Sequence, residues 1–186
     1  MSQHEDKLIA HMKELLATDE RWNWVEPCTE EDLARAEAEL DFPLPSLLRR
    51  IYLEVGDGAF GLSPLYTEDF NGICEIDLVT SYLEMQPQPC KEVYALEAMH
   101  EEDPPFWPEK LLIIADWGCC MYSCLDCAHP ENRILRNDNN ISYDCYAVEA
   151  PSFAQWLQAY LDGTLKFDWE KTEHITYRPC GLMPAQ

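Results

Sequence analysis

The chain lacks long apolar runs and has little positive charge. No run reaches the about 18 apolar residues that a helix needs to cross a bilayer, so the sequence predicts no membrane span. Lysine and arginine together number 13, against 35 aspartate and glutamate residues, and the formal net charge is −22. A charge of this sign and size repels nucleic acid and anionic lipid, and it attracts basic surfaces.

The beginning of the chain also lacks the features of a secretory signal. The stretch MSQHEDKLIAHMKELL carries acids where a signal has a basic segment followed by an apolar core. We therefore expect a cytoplasmic protein, whose thiols stay reduced, and the odd count of nine cysteines fits that setting. With 47% hydrophobic residues in a chain of 186, there is enough apolar material for the core of one domain.

Helical spacing of apolar residues predicts three helices near the start of the chain. They cover residues 5–18, 30–40 and 47–55. Thr29 and Ser46 precede the second and third helical stretches as N-caps, since their hydroxyls can accept from the first free backbone N–H groups.

The middle of the chain has the pattern of strands. Branched or alternating apolar residues predict strands over 71–79, 110–116, 120–127 and 131–138, and the short HPEN turn predicts a hairpin from the last two. Between the first and second strands lies a stretch rich in proline and acid, with a short helix predicted at roughly 90–100.

The end of the chain adds one more helix. Ser152 is the expected N-cap of SFAQWLQAYLDG, which has amphipathic spacing and ends at Gly163. The tail from Thr164 to Gln186 shows no clear period. Helices, then a mostly antiparallel sheet, then a closing helix make an α+β fold.

Four of the cysteines lie in one short stretch, ADWGCCMYSCLDC. A zinc site holds its sulfurs at about 2.3 Å from the metal, whereas a strand separates Cys120 from Cys124 by about 13 Å. A disulfide between the adjacent Cys119 and Cys120 is strained. We interpret these thiols as compact apolar residues of a buried strand. The alternative is a zinc-binding or redox site made by Cys119, Cys120, Cys124 and Cys127.

Carboxylates and aromatic residues supply other candidate sites. Asp116 and Asp126 form a possible acid–base pair, but no nucleophile with its base, cofactor loop or metal-ligand set accompanies them, so we expect neither catalysis nor a cofactor. Trp117, in a turn beside Asp116, is either an exposed anchor for a partner or a residue packed under the sheet. Trp22 and Trp24 are interpreted as packing residues. The predicted partner contacts are Asp57, Glu68, Asp69, Asp116, Trp117 and Asp126.

Three stretches of the chain resemble the SMI1/KNR4 domain of the SUKH superfamily. FPLPSLLRRIYLEVGDGAFG is similar to its proline-led helix and glycine turn, LLIIADWGCCMYSCLDC to its later strand pair, and SFAQWLQAYLDG to its terminal helix. The resemblance covers about residues 20–163. The residues that carry it in the first two stretches are Pro43, Pro45, Tyr52, Gly56 and Gly58, followed by Leu112, Asp116, Gly118, Leu125 and Asp126.

The resemblance implies a fold and a role. It implies a sheet of about six strands flanked by helices, with one domain over residues 1–163 and a C-terminal extension over 164–186. Many bacterial members resemble immunity proteins that neutralise toxins, and fungal relatives act as scaffolds. Together with the negative charge, this predicts a non-enzymatic protein whose partner is a basic, nuclease-type protein toxin, with no nucleic acid or membrane as partner. A scaffold for a non-toxin partner is the alternative.

Overall fold

The structure, a computed structural model, describes residues 3–67, 76–94, 107–141 and 145–179. Within these ranges the chain forms five α-helices and one six-stranded sheet. The helices are α1 (Gln3–Thr18), α2 (Glu30–Leu40), α3 (Ser46–Glu54), α4 (Leu78–Glu84) and α5 (Phe153–Leu161). The strands are β1 (Cys90–Tyr94), β2 (Leu111–Asp116), β3 (Met121–Asp126), β4 (Ile134–Asp138), β5 (Cys145–Ala150) and β6 (His174–Pro179).

The sheet runs in the order β1-β6-β5-β4-β3-β2, and each neighbouring pair is antiparallel. The α+β fold class is confirmed, as is the hairpin of β3 and β4. The helix α5 follows β5 as expected, but it is not the last element. The tail without a period supplies β6, which lies between β1 and β5 inside the sheet.

The N-terminal helices lie where the spacing of apolar residues predicted them, and one of their two predicted N-caps is correct. Leu8, Ile9 and Met12 form the buried stripe of α1. Thr29 caps α2 as predicted, since its side chain accepts from the Asp32 N–H in a capping box. Ser46 does not cap α3: it is the first residue of that helix, and its hydroxyl contacts Glu5 instead.

Two predictions in the middle of the chain were wrong. Residues 77–79 are not strand, because the Asp77 side chain accepts from the Thr80 N–H at 2.6 Å and begins α4; residues 71–75 lie outside the described ranges. Of the helix predicted at roughly 90–100, residues 90–94 form the edge strand β1 instead, since β6 provides a pairing partner, and residues 95–100 lie outside the described ranges. No helix in the described part of the chain is long and apolar enough to cross a membrane.

The GDG turn after α3 is packed tightly against the segment that leads into α2. A Cβ atom on Gly56 would lie 2.7 Å from the Val25 carbonyl oxygen, so only glycine fits there. The Asp57 N–H donates to the Glu26 carbonyl at 3.0 Å on the same side. The turn therefore holds the two chain segments together.

Candidate functional site

Asp57, the first predicted contact, is partly buried and hydrogen-bonded within the fold. Its carboxylate accepts from the Leu65 N–H at 2.7 Å. Burial raises the pKa of this carboxyl above its ordinary value. Because the group is largely withdrawn from solvent and holds a turn, the structure gives it a local structural role. Glu68 and Asp69 lie outside the described residues.

Asp126 lies in a buried polar network at the end of β3. Its side chain is 7% exposed. One carboxylate oxygen accepts from the Arg133 Nε–H and the Tyr177 hydroxyl, each at 3.0 Å. The other accepts from the backbone N–H groups of Ala128 and His129, each at 3.1 Å. Both oxygens are therefore committed within the fold.

Arg133 extends this network across the sheet. It donates to both carboxylate oxygens of Glu92 on β1 and to the Tyr177 hydroxyl on β6 at 3.1 Å. Burial by itself lowers the pKa of Arg133, but the hydrogen bond to Glu92 and the neighbouring Asp126 carboxylate reverse the effect, and the net shift is upward. The guanidinium thus ties β3 to the two strands at the other side of the sheet. We call Arg133, Asp126, Glu92 and Tyr177 the strand-linking cluster.

A cleft of about 310 Å³ lies beside the strand-linking cluster. Cys90, Lys110 and His129 are among the residues that line it. The His129 Nδ1 accepts from the Glu131 N–H at 3.3 Å, so the neutral ring carries its proton on Nε2. The cleft is lined by both acidic and basic side chains. The part of its wall that belongs to the strand-linking cluster already makes hydrogen bonds within the fold.

The possible acid–base pair of Asp116 and Asp126 does not form. Asp116 lies opposite Tyr122 and Asp126 opposite Leu111, at the two ends of the β2–β3 hairpin. Four residues of strand separate Tyr122 from Asp126, which corresponds to about 13 Å. The two carboxylates are too far apart to act on one substrate bond.

The cysteines of the β2–β3 hairpin have different environments. Cys124 is fully buried in the core, as predicted, and burial raises the pKa of its thiol. Cys119 and Cys120 are exposed, so for them the buried-strand interpretation was wrong, because the strand begins only at Met121. Cys127 lies beyond the other end of the strand.

These four thiols do not converge on one point. Two lie in the turn, one in the core and one past the strand, and the hairpin separates them. Across residues 3–67, 76–94, 107–141 and 145–179, no three His, Cys, Asp or Glu side chains are grouped as metal ligands.

The turn between β2 and β3 has an unusual backbone. Gly118, Cys119 and Cys120 all have positive φ, at 78°, 51° and 60°. Two of the three are not glycine, and each non-glycine residue in this region costs about 1–2 kcal/mol. Hydrogen bonds hold the turn: Trp117 N–H donates to the Met121 carbonyl at 2.9 Å, and Met121 N–H donates to the Gly118 carbonyl at 3.1 Å.

Trp117 begins this turn and is held in one orientation. Its indole N–H donates to Ser123 Oγ at 2.8 Å, and that hydroxyl donates to Glu149. Arg136 pairs with the same Glu149 and stacks its guanidinium 4.7 Å from the Trp117 ring centre. The ring is still 38% exposed, so Trp117 is both packed and accessible. We call Trp117, Ser123, Arg136 and Glu149 the tryptophan-positioning cluster.

Further aromatic rings continue from Trp117 in two directions. On one side Tyr160 lies 5.9 Å from Trp117, and Trp22 lies 6.1 Å from Tyr160. On the other, Arg136 lies 5.0 Å from the Phe167 ring, and Trp169 follows at 6.0 Å from Phe167. We call these five rings, with Arg136 between two of them, the aromatic band: Trp22, Tyr160, Trp117, Phe167 and Trp169. Each is partly exposed.

Exposed acids alternate with the aromatic band along the chain. Asp116 precedes Trp117, Asp162 follows Tyr160 by two positions, and Asp168 separates Phe167 from Trp169. Glu170 follows Trp169 directly, and all four acids are exposed. The band is therefore apolar along its length with negative charge beside it. The interpretation of Trp24 as a packing residue was wrong, because it is the most exposed tryptophan, at 69%.

The model of the SMI1/KNR4 family (SUKH-1) matches residues 27–159, which span α2 to most of α5. The chain belongs to the SMI1/KNR4 family. The resemblance seen in the sequence over about 20–163 is thereby confirmed. No curated protein matches the chain.

The SMI1/KNR4 match covers the centre of the aromatic band but not its ends. Trp117 and Arg136 lie within the matched residues, whereas Trp22 precedes them and Tyr160, Phe167 and Trp169 follow them. The strand β6 also lies outside the match, although it is hydrogen-bonded on both sides. Segments outside the family match thus complete both the sheet and the band.

Sequence reasoning found Trp117 and Asp116 but missed the groups that position the ring. Arg136 directly follows two buried apolar residues of β4, and Glu149 is the one charged residue of β5. Charged residues at such positions are almost never fully buried unless they are paired, so an Arg and a Glu in neighbouring strands were a usable signal for an ion pair.

Proposed function

We propose that this SMI1/KNR4 protein is a non-enzymatic, cytoplasmic binding protein of the immunity type, which neutralises a basic, nuclease-type toxin by occupying its surface. The observation that carries the proposal is the uncompensated negative charge. Of the 35 acids, 22 would remain even if each of the 13 basic residues neutralised one.

The ion pairs of the described residues strengthen this point. At least eight basic side chains are already paired with carboxylates of the same chain. Arg133 and Arg136 are the most buried of them, at 8% and 11% exposure. Since the positive charges are used within the fold, the surface offers an approaching molecule mainly carboxylates.

A nuclease is a suitable partner for an acidic protein, because a nuclease presents a cationic surface to phosphate. Opposite fields accelerate the encounter of two proteins and suppress wrong partners, and the effect weakens as salt rises. The family adds support, since SUKH domains are associated with toxin binding. The acid–base candidates Asp116 and Asp126 are separated, which favours binding over catalysis.

Co-expression with the product of the adjacent reading frame tests the proposal. We expect growth rescue by the wild-type chain and a complex that dissociates as salt rises from 50 to 500 mM, roughly 10-fold in ionic strength. A matched pair of exposed acids serves as control: Asp116→Asn should weaken the complex more than Glu84→Gln. Absence of rescue, or a complex indifferent to salt, would contradict a basic toxin as partner and favour the scaffold role.

A further inference from the structure

We propose that the aromatic band is the docking surface for the partner, and that it receives arginine side chains of a basic protein beside Trp117. This inference rests on the proposed function for the identity of the partner. The surface itself is argued from the geometry of the band.

The residue types of the band are those that contribute most to protein interfaces. Tryptophan, tyrosine and arginine are enriched among interface residues whose truncation costs the most affinity. Here Trp117 contacts both Arg136 and Tyr160, and Trp117 is 38% exposed. An exposed ring by itself would need no explanation. Trp117 is linked to Tyr160 and Trp22 by ring contacts, and to Phe167 and Trp169 through the buried Arg136.

The tryptophan-positioning cluster points to a surface that is prepared for binding. The Glu149 side chain is 0% exposed, and it holds both Arg136 and the hydroxyl that accepts from Trp117. A buried ion pair adds little net stability, because desolvation offsets the attraction. What the cluster achieves is a fixed orientation for Trp117, so that little rotamer freedom remains to be lost on binding.

The strained turn fits the same purpose. Cys119 and Cys120 hold left-handed backbone conformations directly after Trp117 and Gly118. Strain of this kind persists where the surrounding structure enforces it, and it is concentrated at functional sites. The Asn140 side chain donates to the Cys119 carbonyl, which fixes the turn from the β4–β5 side.

Charge complementarity identifies the occupant as a basic protein. Exposed Asp116 lies directly before Trp117 in the chain, and exposed Glu170 lies directly after Trp169. A guanidinium group can stack on an aromatic face and pair with a carboxylate at the same time. The site therefore favours arginine over lysine. A second copy of the chain would bring another net charge of −22 to the same place, and nucleic acid would also be repelled.

Indole signals in a ¹⁵N-labelled sample test the surface without the toxin. The six tryptophans give six Nε1–H resonances, assigned by single Trp→Phe variants. The probe is an acetylated and amidated Arg-Gly-Arg-Gly-Arg peptide, compared with its lysine counterpart. We expect saturable shifts at Trp117, Trp22 and Trp169, larger with the arginine peptide. Trp24 is the internal control, because a probe that followed exposure alone would shift it most. Shifts confined to Trp24, or uniform shifts, would overturn the inference.

The toxin then separates this inference from the proposed function. If the wild-type chain binds the adjacent-frame product, Trp117→Ala should weaken binding at least about 30-fold and Trp24→Ala less than about 3-fold. Full affinity in Trp117→Ala overturns the docking surface and leaves the proposed function standing. If the wild type does not bind the toxin, the proposed function fails, and the peptide shifts alone decide the surface.

Discussion

Two arginine clusters in this protein use similar chemistry for different results. In the strand-linking cluster, Arg133 bonds to Glu92, Asp126 and Tyr177, on β1, β3 and β6. The guanidinium donates to both carboxylates and to the phenol, and the phenol donates to Asp126. Arg133 and Asp126 are only 8% and 7% exposed, so the contribution of these two groups is to the fold.

The tryptophan-positioning cluster is built from the same kinds of groups but ends at the surface. Arg136 pairs with Glu149, and Ser123 links that carboxylate to the indole of Trp117. Ser123 and Asp126 are three positions apart on β3, so the two clusters lie on opposite faces of the sheet. An internal ion pair is therefore informative about function only through the strand or side chain that it holds in place.

The largest expected effect comes from the strand-linking cluster. Arg133→Met leaves the buried Asp126 carboxylate without its cation, which should lower the free energy of unfolding by about 3–5 kcal/mol. Urea denaturation measures this. The exposed pair of Arg35 and Asp32 is the control, and Arg35→Met should cost much less, because solvent screens an exposed ion pair. Similar losses for the two variants would remove the distinction between the buried cluster and a surface ion pair.

Glu149→Gln should have the next largest effect and should act on Trp117 as well. The amide keeps an acceptor for Ser123 but removes the charge that pairs with Arg136, so we expect a stability loss of about 1.5–3 kcal/mol. The ring of Trp117 should also gain freedom, which lowers its fluorescence anisotropy in a variant where the other tryptophans are Phe. If stability falls and the anisotropy is unchanged, the cluster does not position the ring.

Asp57 extends the comparison to an internal carboxylate without an arginine partner. Its pKa is raised by burial above its ordinary value of 3.8, so the folded state holds the proton more tightly than the unfolded state. The stability this contributes is present below pH 3.8 and is lost as the pH rises through the folded pKa. As the pH rises from 3 to 7, the free energy of unfolding of Asp57→Asn should therefore increase relative to that of the wild type. A difference between the two proteins that stays constant with pH would contradict this.

The order of thiol alkylation distinguishes cysteines of the turn from the cysteine of the sheet interior. We expect no change in the free energy of unfolding. Cys119 and Cys120 are exposed and should react first with iodoacetamide at pH 8. Cys28 should follow slowly, since burial raises its pKa to about 11. Cys124 should react only after unfolding, because it is 0% exposed. Peptide mass spectrometry gives the order, and early labelling of Cys124 would show that β3 is not part of the core.

Local sequence was sufficient where local chemistry decides the structure. The stripe of α1, the capping box of Thr29 and the aliphatic run of β2 could all be predicted from neighbouring residues. The N-cap Asp77 was mistaken for part of an alternating strand, because a cap and an exposed strand position favour the same polar residue.

Non-local pairing was the part that sequence could not supply. The strand β6 forms because β1 and β5 hydrogen-bond to it on both sides, and its own six residues carry too weak a pattern. The contact of Arg136 with Glu149 depends on the register of β4 against β5, which contains an irregularity after Ile134. Trp117 could be noticed as a turn residue, but its orientation follows from that register.

Hydrogen–deuterium exchange of the chain with and without its cognate toxin tests the central claim most directly. We expect slower amide exchange on binding in residues 117–123 and 158–171, which carry four of the five rings of the aromatic band, and unchanged exchange in residues 126–133 of the strand-linking cluster. Protection of residues 126–133 without protection of the band would contradict that claim.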